Sequence, residues 1–408
     1  MKILAMFFEP IAVTGLGLTT CLGAGARANW QRIQSGSSGL GPITRFALGD
    51  YPVRMGGEAP ALRSSNGGDT FIELEQLERV CLETCLSAGF EGGGFPDAGR
   101  AALVLGSSLA GSSAGEEFFK EYLALGPDRA SYGLLEGYYL EGALDFLCHR
   151  LHIAGPSLLV SNACAAGASS IARGAGLLRA GRADWVLAAG YDPLSIFTFA
   201  GFGSLFALSR TLTRPFSKSR DGMLLGDGYA AVLLERWSDA RAAGKHPFGL
   251  LLGCGESTDA HHLTHPHPEG SGAAKAMQRA LDMARLSPGE IDYINCHGTA
   301  TRPNDLSEYR AMRSVFKEGL RRIPLSSSKP FFGHTLGGAG TVEAVVTLLA
   351  IHHQYLPPTL SLDEVDPEFG QLDLVPQGRA ARIRRAMSNS FGFGGSNASL
   401  IFGREEEG

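Results

Sequence analysis

The sequence predicts an α/β fold made of two successive halves with the same order of elements, and two observations carry that prediction. Short apolar runs of strand character alternate with helical stretches along the 408 residues, and the alternation restarts near residue 248. Near the middle of the first half, GPSLLVSNACAAGASSIARGAGLLRAG (155–181) runs a buried strand, Leu158 to Val160, into a helix of Ala, Gly and Ser that can pack tightly at the centre of a fold. No identity between the halves is visible, so the duplication rests on element order.

Taken in order, residues 11–17 (IAVTGLG) read as a strand and a glycine turn, but a dinucleotide fingerprint fails because Thr20 stands where the third glycine belongs. An amphipathic helix is predicted over 70–88, a buried strand over 101–105 entering a Gly/Ser loop, and mainly helix over 116–152. Strands follow at 185–190 and 230–235, then a helix through Lys245. The second half gives a strand at 248–254, a helix at 272–285, a strand at 291–296 with HGTAT at its end, and a helix from near Gly340. It closes with a strand at 386–390, a tight FGFGG turn and a strand at 398–402. The expected division is 1–247, carrying one central cysteine, and 248–408, carrying two histidines.

Hydrophobic residues at 44% and charged residues at 19% exclude a disordered chain, and a net charge of -5 without a Lys/Arg block argues against nucleic acid. The opening MKILAMFFEPIAVTG is broken by Glu9 and Pro10 and lacks a small-residue cleavage site, which predicts a cytoplasmic protein. No apolar run reaches the roughly 18 residues of a spanning helix. Seven cysteines, an odd number with no CxxC pair, suggest neither a disulfide framework nor a zinc ribbon. Cys81 and Cys85 share a helix face and read as core.

Cys164 falls at the junction of strand and helix. Unpaired amides and the positive end of the helix dipole there favour a thiolate nucleophile, while the burial typical of cysteine favours a structural role. The stretch alone leaves both readings open. A cysteine nucleophile needs partners, and in such a sheet they gather at the carboxyl ends of strands. His297 follows IDYINC and precedes GTAT; His334 lies in KPFFGHTLGGAG before a glycine-rich helix start. Two competing signals are weaker. GSSAG (111–115) matches a hydrolase elbow but puts Ser113 on a loop, well past the predicted strand end at Leu105. HHLTHPH, with His261, His262, His265 and His267, holds two prolines' worth of broken helix around it and no intervening carboxylate, so it reads as a solvated loop at a binding mouth.

Cys164, His297 and His334 in that order, inside ACAAG, HGTAT and KPFFGHTLGGAG, resemble the elongating β-ketoacyl-acyl carrier protein synthases of the thiolase superfamily. The likeness covers nearly the whole chain and takes in GLG, RDGMLLGDGYAAVLLE (220–235), NDLSE (304–308) and NSFGFGGSNASLIF (389–402). It implies the thiolase fold, duplicated halves in a layered α-β-α-β-α arrangement, as a homodimer or a heterodimer with a ketosynthase-like chain-length factor. It implies a decarboxylative Claisen condensation in fatty acid or type II polyketide or polyene synthesis. In that chemistry Cys164 takes an acyl group from an acyl carrier protein, then malonyl-carrier protein loses CO2 and its carbanion attacks the acyl-enzyme. No cofactor bound by the enzyme is implied, the phosphopantetheine arm arriving on the carrier protein.

By the same likeness, backbone amides of Cys164 and Phe393 form an oxyanion hole and Phe393 gates the acyl pocket. Thr264, Thr299 and Thr301 bind the phosphopantetheine arm beside Phe391. Lys329 and Glu343 form a supporting pair, and no catalytic metal is required, although Asn295, Glu343, Ser388 and Asn389 match a structural cation site. The chain departs from the family pattern at Ser169, where many relatives have His, over 112–152, after Phe206, and at 63–69, where an expected basic run thins to Arg63 and SSNGGD. These departures bring forward a specialised alternative, a ketosynthase subunit paired with a Cys-less chain-length factor. A thiolase acting on coenzyme A esters is a third reading, for which Cys296 is the second cysteine on offer.

Overall fold

The computed structural model describes residues 9–60, 72–109 and 111–405. The run beginning at Arg63, the first eight residues and the start of the helix expected from Thr70 therefore lie outside the described residues. Among the described residues ten strands build one mixed sheet, with the short strand Gly23–Ala24 appended to the first. The first half contributes β1 (Ile11–Thr20), β2 (Ala101–Gly106), β3 (Ser157–Val160), β4 (Trp185–Asp192) and β5 (Gly228–Arg236). The second contributes β6 (Gly249–Thr258), β7 (Tyr293–Asn295), β8 (Leu325–Ser326), β9 (Arg385–Gly392) and β10 (Ser396–Gly403).

In the sheet the first half runs β3-β2-β4-β5-β1 and the second β8-β7-β9-β10-β6, the same order position for position. The pairing sense repeats as well. The second strand of each half is parallel to the third and fourth, and the fourth, fifth and first are joined antiparallel. The halves meet where Ile11 to Val13 of β1 pair antiparallel with Leu251 to Gly249 of β6.

Helices Ile72–Ser87 and Leu140–Arg150 pack on the outer side of the first half, and Ser271–Ala284 and Arg302–Phe316 on that of the second. Helices Ala166–Arg179 and Ala339–His353 pack against each other between them, giving the α-β-α-β-α layering. The latter is buried from Ala339 through Ile351, as its apolar residues on every face require. The two meet at glycines: a Cβ on Gly167 would lie 2.5 Å from Thr341 Oγ1, and one on Gly340 would lie 2.3 Å from the Ala168 nitrogen. The small residues thus let the helices touch backbone to backbone.

Three local expectations are corrected. The chain does not turn at Gly15 and Gly17: β1 runs on to Thr20, and the glycines are there because a Cβ would lie 2.2 Å from the Thr84 carbonyl oxygen and 2.3 Å from that of Val80. The strand before Cys164 is not buried. Among the described residues it is a sheet edge paired to β2 alone, and Leu158 is 40% exposed. Ser113 lies in the first turn of helix Ser112–Leu125, not on a loop, where it hydrogen-bonds to Glu73 and does not line the cavity that holds Cys164. Cys81 and Cys85 are fully buried core, as their spacing suggested.

Candidate active site

Cys164 stands in the turn between β3 and the central helix of the first half. Ala163 holds φ +53° and the Ala166 N–H donates back to the Ala163 carbonyl, so the chain reverses sharply and presents the thiol. Gly392 makes room for this turn, since a Cβ there would lie 2.9 Å from the Cys164 nitrogen. The sulfur faces a cavity of about 390 Å³ also lined by His297, His334, Thr264, Thr299, Thr301, Phe391 and Phe393. Residues scattered over more than two hundred positions of sequence thus share one wall.

The two imidazoles stand edge to face with ring centroids 5.3 Å apart. His334 Nε2 is 3.1 Å from Cys164 Sγ, and the Leu336 N–H donates to His334 Nδ1 at 3.2 Å. Because Nδ1 accepts, the ring proton of a neutral His334 belongs on Nε2, pointing at the sulfur. His297 is fixed the same way: Lys329 Nζ, which has only protons to give, lies 3.3 Å from His297 Nδ1, leaving Nε2–H for the other side. Burial first, and then the Lys329 charge, hold both imidazoles well below their ordinary pKa, so both are neutral donors.

Lys329 and Glu343 are buried behind the histidines. Nζ donates to Glu343 Oε1 and, at 2.5 Å, to the His297 carbonyl. Burial raises the Glu343 carboxyl to about 7 against the pull of Lys329. The cysteine differs from expectation. Burial pushes its thiol up to about 12, outweighing the Lys329 charge and the hydrogen bond from the Phe393 backbone, with Asp192 and Glu343 adding to the rise. The free site therefore holds a neutral thiol, not the resting thiolate that a helix start alone suggests.

Phe393 is half-buried, its ring 5.5 Å from that of Phe202, and two glycines in the left-handed region follow it, Gly394 at φ +76° and Gly395 at φ +80°. The Phe391 ring meets His297 at 5.8 Å. Thr299 and Thr301 share a hydrogen bond of 2.9 Å between hydroxyls, and Thr264 contacts His265 Nδ1 at 3.1 Å. His265 lines the mouth while His261 and His262 are exposed, and among the described residues no cluster of three or more His, Cys, Asp or Glu is placed to hold a metal ion. Ser169 is buried and accepts from Asn162 Nδ2. Cys296 is fully buried and points its thiol toward the Ile294 carbonyl.

Asn295 and Ser388 are direct partners across β7 and β9, and Asn295 Nδ2 donates to the Glu343 carbonyl. Asn295 Oδ1 and Glu343 Oε2 are buried without a hydrogen-bond partner, a pair of hard oxygens that fits a cation.

Sequence reasoning passed over the groups that hold these loops. Glu308, within NDLSE, accepts the N–H groups of His297 and Gly298, both at 2.8 Å, although burial raises its carboxyl to about 8. Asp305 of the same motif accepts from the Phe216 and Ala300 N–H groups. Asp192, at the end of β4, accepts from the Gly337 N–H at 2.7 Å beside the His334 loop. Asp305 in the first turn of the helix after HGTAT, with Glu308 about one turn further on, was the available signal for the first two.

The chain matches the family models Beta-ketoacyl synthase, N-terminal domain, over residues 8–240 and Beta-ketoacyl synthase, C-terminal domain, over residues 248–363. It is 35% identical to 3-oxoacyl-[acyl-carrier-protein] synthase 2 of Synechocystis sp., covering 96% of this chain and 97% of the relative. It is 33% identical to the protein of the same name from Coxiella burnetii, covering 97% and 98%. Among solved structures it superposes at TM-score 0.89 and 26% identity on a chain from a complex of a type II PKS acyl-carrier protein with its ketosynthase bound to the hexaketide, covering 97% of this chain and 100% of that one. It also superposes at TM-score 0.81 and 31% identity, covering 98% of each chain, on a chain of the ketosynthase from Xenorhabdus doucetiae in complex with its chain length factor.

Proposed function

The chain belongs to the beta-ketoacyl synthase family, and from that premise we propose that it is a 3-oxoacyl-acyl carrier protein synthase in which Cys164, His297 and His334 carry the condensation. The observation that supports this assignment is the pair of neutral imidazoles, each forced to keep its proton on Nε2, around one cysteine sulfur. In the loading step Cys164 sulfur attacks the thioester carbonyl of an acyl-carrier protein, and the thiol proton ends on the released pantetheine. The N–H groups of Phe393 and Cys164 receive the developing oxyanion. In the second step malonyl-carrier protein loses CO2, and the Nε2–H groups of His297 and His334 hold its thioester oxygen as the electrons arrive. The carbon nucleophile attacks the acyl-enzyme, and Cys164 leaves and regains a proton.

Lys329 and Glu343 act as positioning residues in this reading, and Glu308 fixes the backbone of His297. Thr264, Thr299 and Thr301 bind the pantetheine arm, with Phe391 at its end and Phe393 as a gate flanked by flexible glycines. No enzyme-bound cofactor is required, and the protein works in the cytoplasm, in fatty acid or related type II polyketide or polyene synthesis. The orphaned oxygens of Asn295 and Glu343, with Ser388 and Asn389, would hold a structural cation whose charge steadies the Glu343 backbone. The split into 1–247 and 248–408 gives each half one side of the site. No helix among the described residues is long and apolar enough to cross a membrane.

A dimer, with a second copy or with a chain-length factor, is supported by the open edge of β3 with its exposed Leu158 and by the likeness to the Xenorhabdus doucetiae ketosynthase. Native mass measurement distinguishes the two. The activity is tested by separating the half-reactions. Cys164→Ala should abolish condensation yet release CO2 from malonyl-carrier protein, whereas His297→Ala and His334→Ala should each lose roughly 10²- to 10³-fold in CO2 release. His297→Ala should retain acyl loading, read by intact mass. Loss of both half-reactions in folded Cys164→Ala would sink the division of labour.

A further inference from the structure

A second cavity, of about 260 Å³, opens at the end of helix Arg302–Phe316 on the outer side of the second half, and none of its lining residues lines the cavity of Cys164. The buried part of its lining is apolar. Leu320 and Phe369 are buried there, and the half-buried Tyr309 ring meets Phe369 edge to face at 5.4 Å. The exposed part is cationic, with Arg313, Lys317 and Arg321. The two carboxylates of the lining lean on guanidinium groups, Glu318 on Arg321 at 3.6 Å and Glu368 on Arg310 at 3.9 Å. Charges beside the lining are paired as well, Arg310 with Glu269, Arg220 with Asp366 and Arg379 with Asp373, and Arg322 adds a further exposed cation next to Arg321. Among the described residues, Arg313 and Lys317 are thus left without a carboxylate partner.

Lys317 also holds an unfavourable backbone. It follows the last turn of the helix with φ +51° and ψ −134°, a conformation that glycine adopts freely and a lysine only with strain. The helix dipole favours a cation near this end, but a lysine anywhere in the last turn would serve it without the strain. Strain of this kind persists where a side chain is needed in one place, and this side chain lines the cavity. We propose that the cavity binds a small phosphate monoester, its phosphate between Arg313 and Lys317 and its organic group on Phe369 and Leu320. Two unpaired cations match the roughly −1.5 to −2 charge of such a phosphate at pH 7, whereas a carboxylate offers a single charge. A guanidinium fork and an ammonium are the two side-chain groups suited to phosphate oxygens. The volume lies below the roughly 300 Å³ at which pockets for drug-sized ligands begin, which fits a small metabolite. The site is separate from the condensing activity and does not depend on it.

The test is calorimetric titration of the full chain with phenyl phosphate, which joins a phosphate to a flat ring. Saturable binding is expected, about tenfold or more tighter than that of inorganic phosphate, which lacks the ring, and of benzoate, which lacks the second charge. Arg313→Gln should weaken phenyl phosphate binding about tenfold or more, the usual effect of losing a hydrogen bond to a charged group. Lys317→Gly should do the same without lowering the melting temperature, because the ammonium and the backbone strain go together. Lys317→Arg, which keeps a cation, should retain binding. Alkylation of Cys164 should leave the titration unchanged; if it abolished binding, the probe would sit in the catalytic cavity and the proposal would fall. Unchanged binding in Arg313→Gln and Lys317→Gly would overturn it too, as would equal binding of benzoate. No saturable binding of phenyl phosphate would end it outright.

Discussion

Removing the Lys329 ammonium tests whether the buried ion pair serves the chemistry or only the fold. Its protons serve Glu343 Oε1, the His297 carbonyl and His297 Nδ1, all in a fully buried pocket. In Lys329→Met, Glu343 would be left without its counter-charge. Stranding a buried ion costs roughly 3–5 kcal/mol. Its carboxyl already titrates near 7, however, so protonation relieves the charge at neutral pH, and the loss should be nearer about 1–3 kcal/mol, that of unpaired buried polar groups. His297 Nδ1 loses the donor that keeps the ring proton on Nε2. CO2 release from malonyl-carrier protein should then fall roughly 10²- to 10³-fold, the usual effect of losing one preorganised oxyanion donor. The double variant Lys329→Met/Glu343→Leu removes the stranded acid as well. Thermal unfolding should return most of the way to wild type, while labelled CO2 release stays low. If activity came back with stability, Lys329 would be a structural residue, and the tautomer argument would be wrong.

Three further outcomes follow from the same geometry. Alkylation of Cys164 by iodoacetamide should rise about tenfold per pH unit past pH 9, because burial puts the thiol near 12; a plateau below pH 8, measured by peptide mapping, would mean that the helix and Lys329 dominate after all. Glu308 titrates near 8 when folded and about 4.3 when unfolded, so its stabilising share is complete below the lower value and is lost as pH climbs through the higher one. Melting temperatures should fall from pH 5 to pH 9, and Glu308→Gln should flatten that slope; an unchanged slope would remove Glu308 as its source. Gly17→Ala puts a methyl 2.3 Å from the Val80 carbonyl oxygen and should cost about 1–3 kcal/mol or more in denaturant unfolding, whereas a freely turning glycine would tolerate it.

The parts of this site that were legible in the sequence are those whose meaning is local. Cys164 between a strand and a small-residue helix, and histidines after glycine-flanked strands, are set by neighbours in the chain. The alternation of elements likewise foretold the repeated order of the two half-sheets. What was missed depends on partners far away in sequence. A glycine serves a turn and a close approach equally well, and only the helix Ile72–Ser87 crossing β1 decides between them at Gly15 and Gly17. Leu158 to Val160 has the composition of a buried strand, yet whether such a strand is central or an edge is fixed by what pairs with it. The state of the Cys164 thiol is a balance of desolvation against a lysine 165 positions away, which no reading of the elbow itself contains.

The duplication explains how the two halves share one cavity. Cys164 and His334 occupy matching places, each after the third strand of its half and before the helix that fills the central layer. Those two helices approach through reciprocal glycines, Gly167 against Thr341 and Gly340 against Ala168, which brings the loops at their starts to hydrogen-bond distance. After the second strand of the second half stands His297. After the second strand of the first half stand Ser107 and Ser108, both bonded to Asp192, which also accepts from Gly337 next to the His334 loop. One copy of the repeat thus turns its imidazole into the cavity, while the other uses the matching groups to tie the halves together. Cys164 comes from the half that ties, and His297 and His334 from the half that is tied. An enlarged residue at Gly167 or Gly340 would therefore separate sulfur from imidazole without touching either, and so would a substitution that releases Asp192 from Gly337.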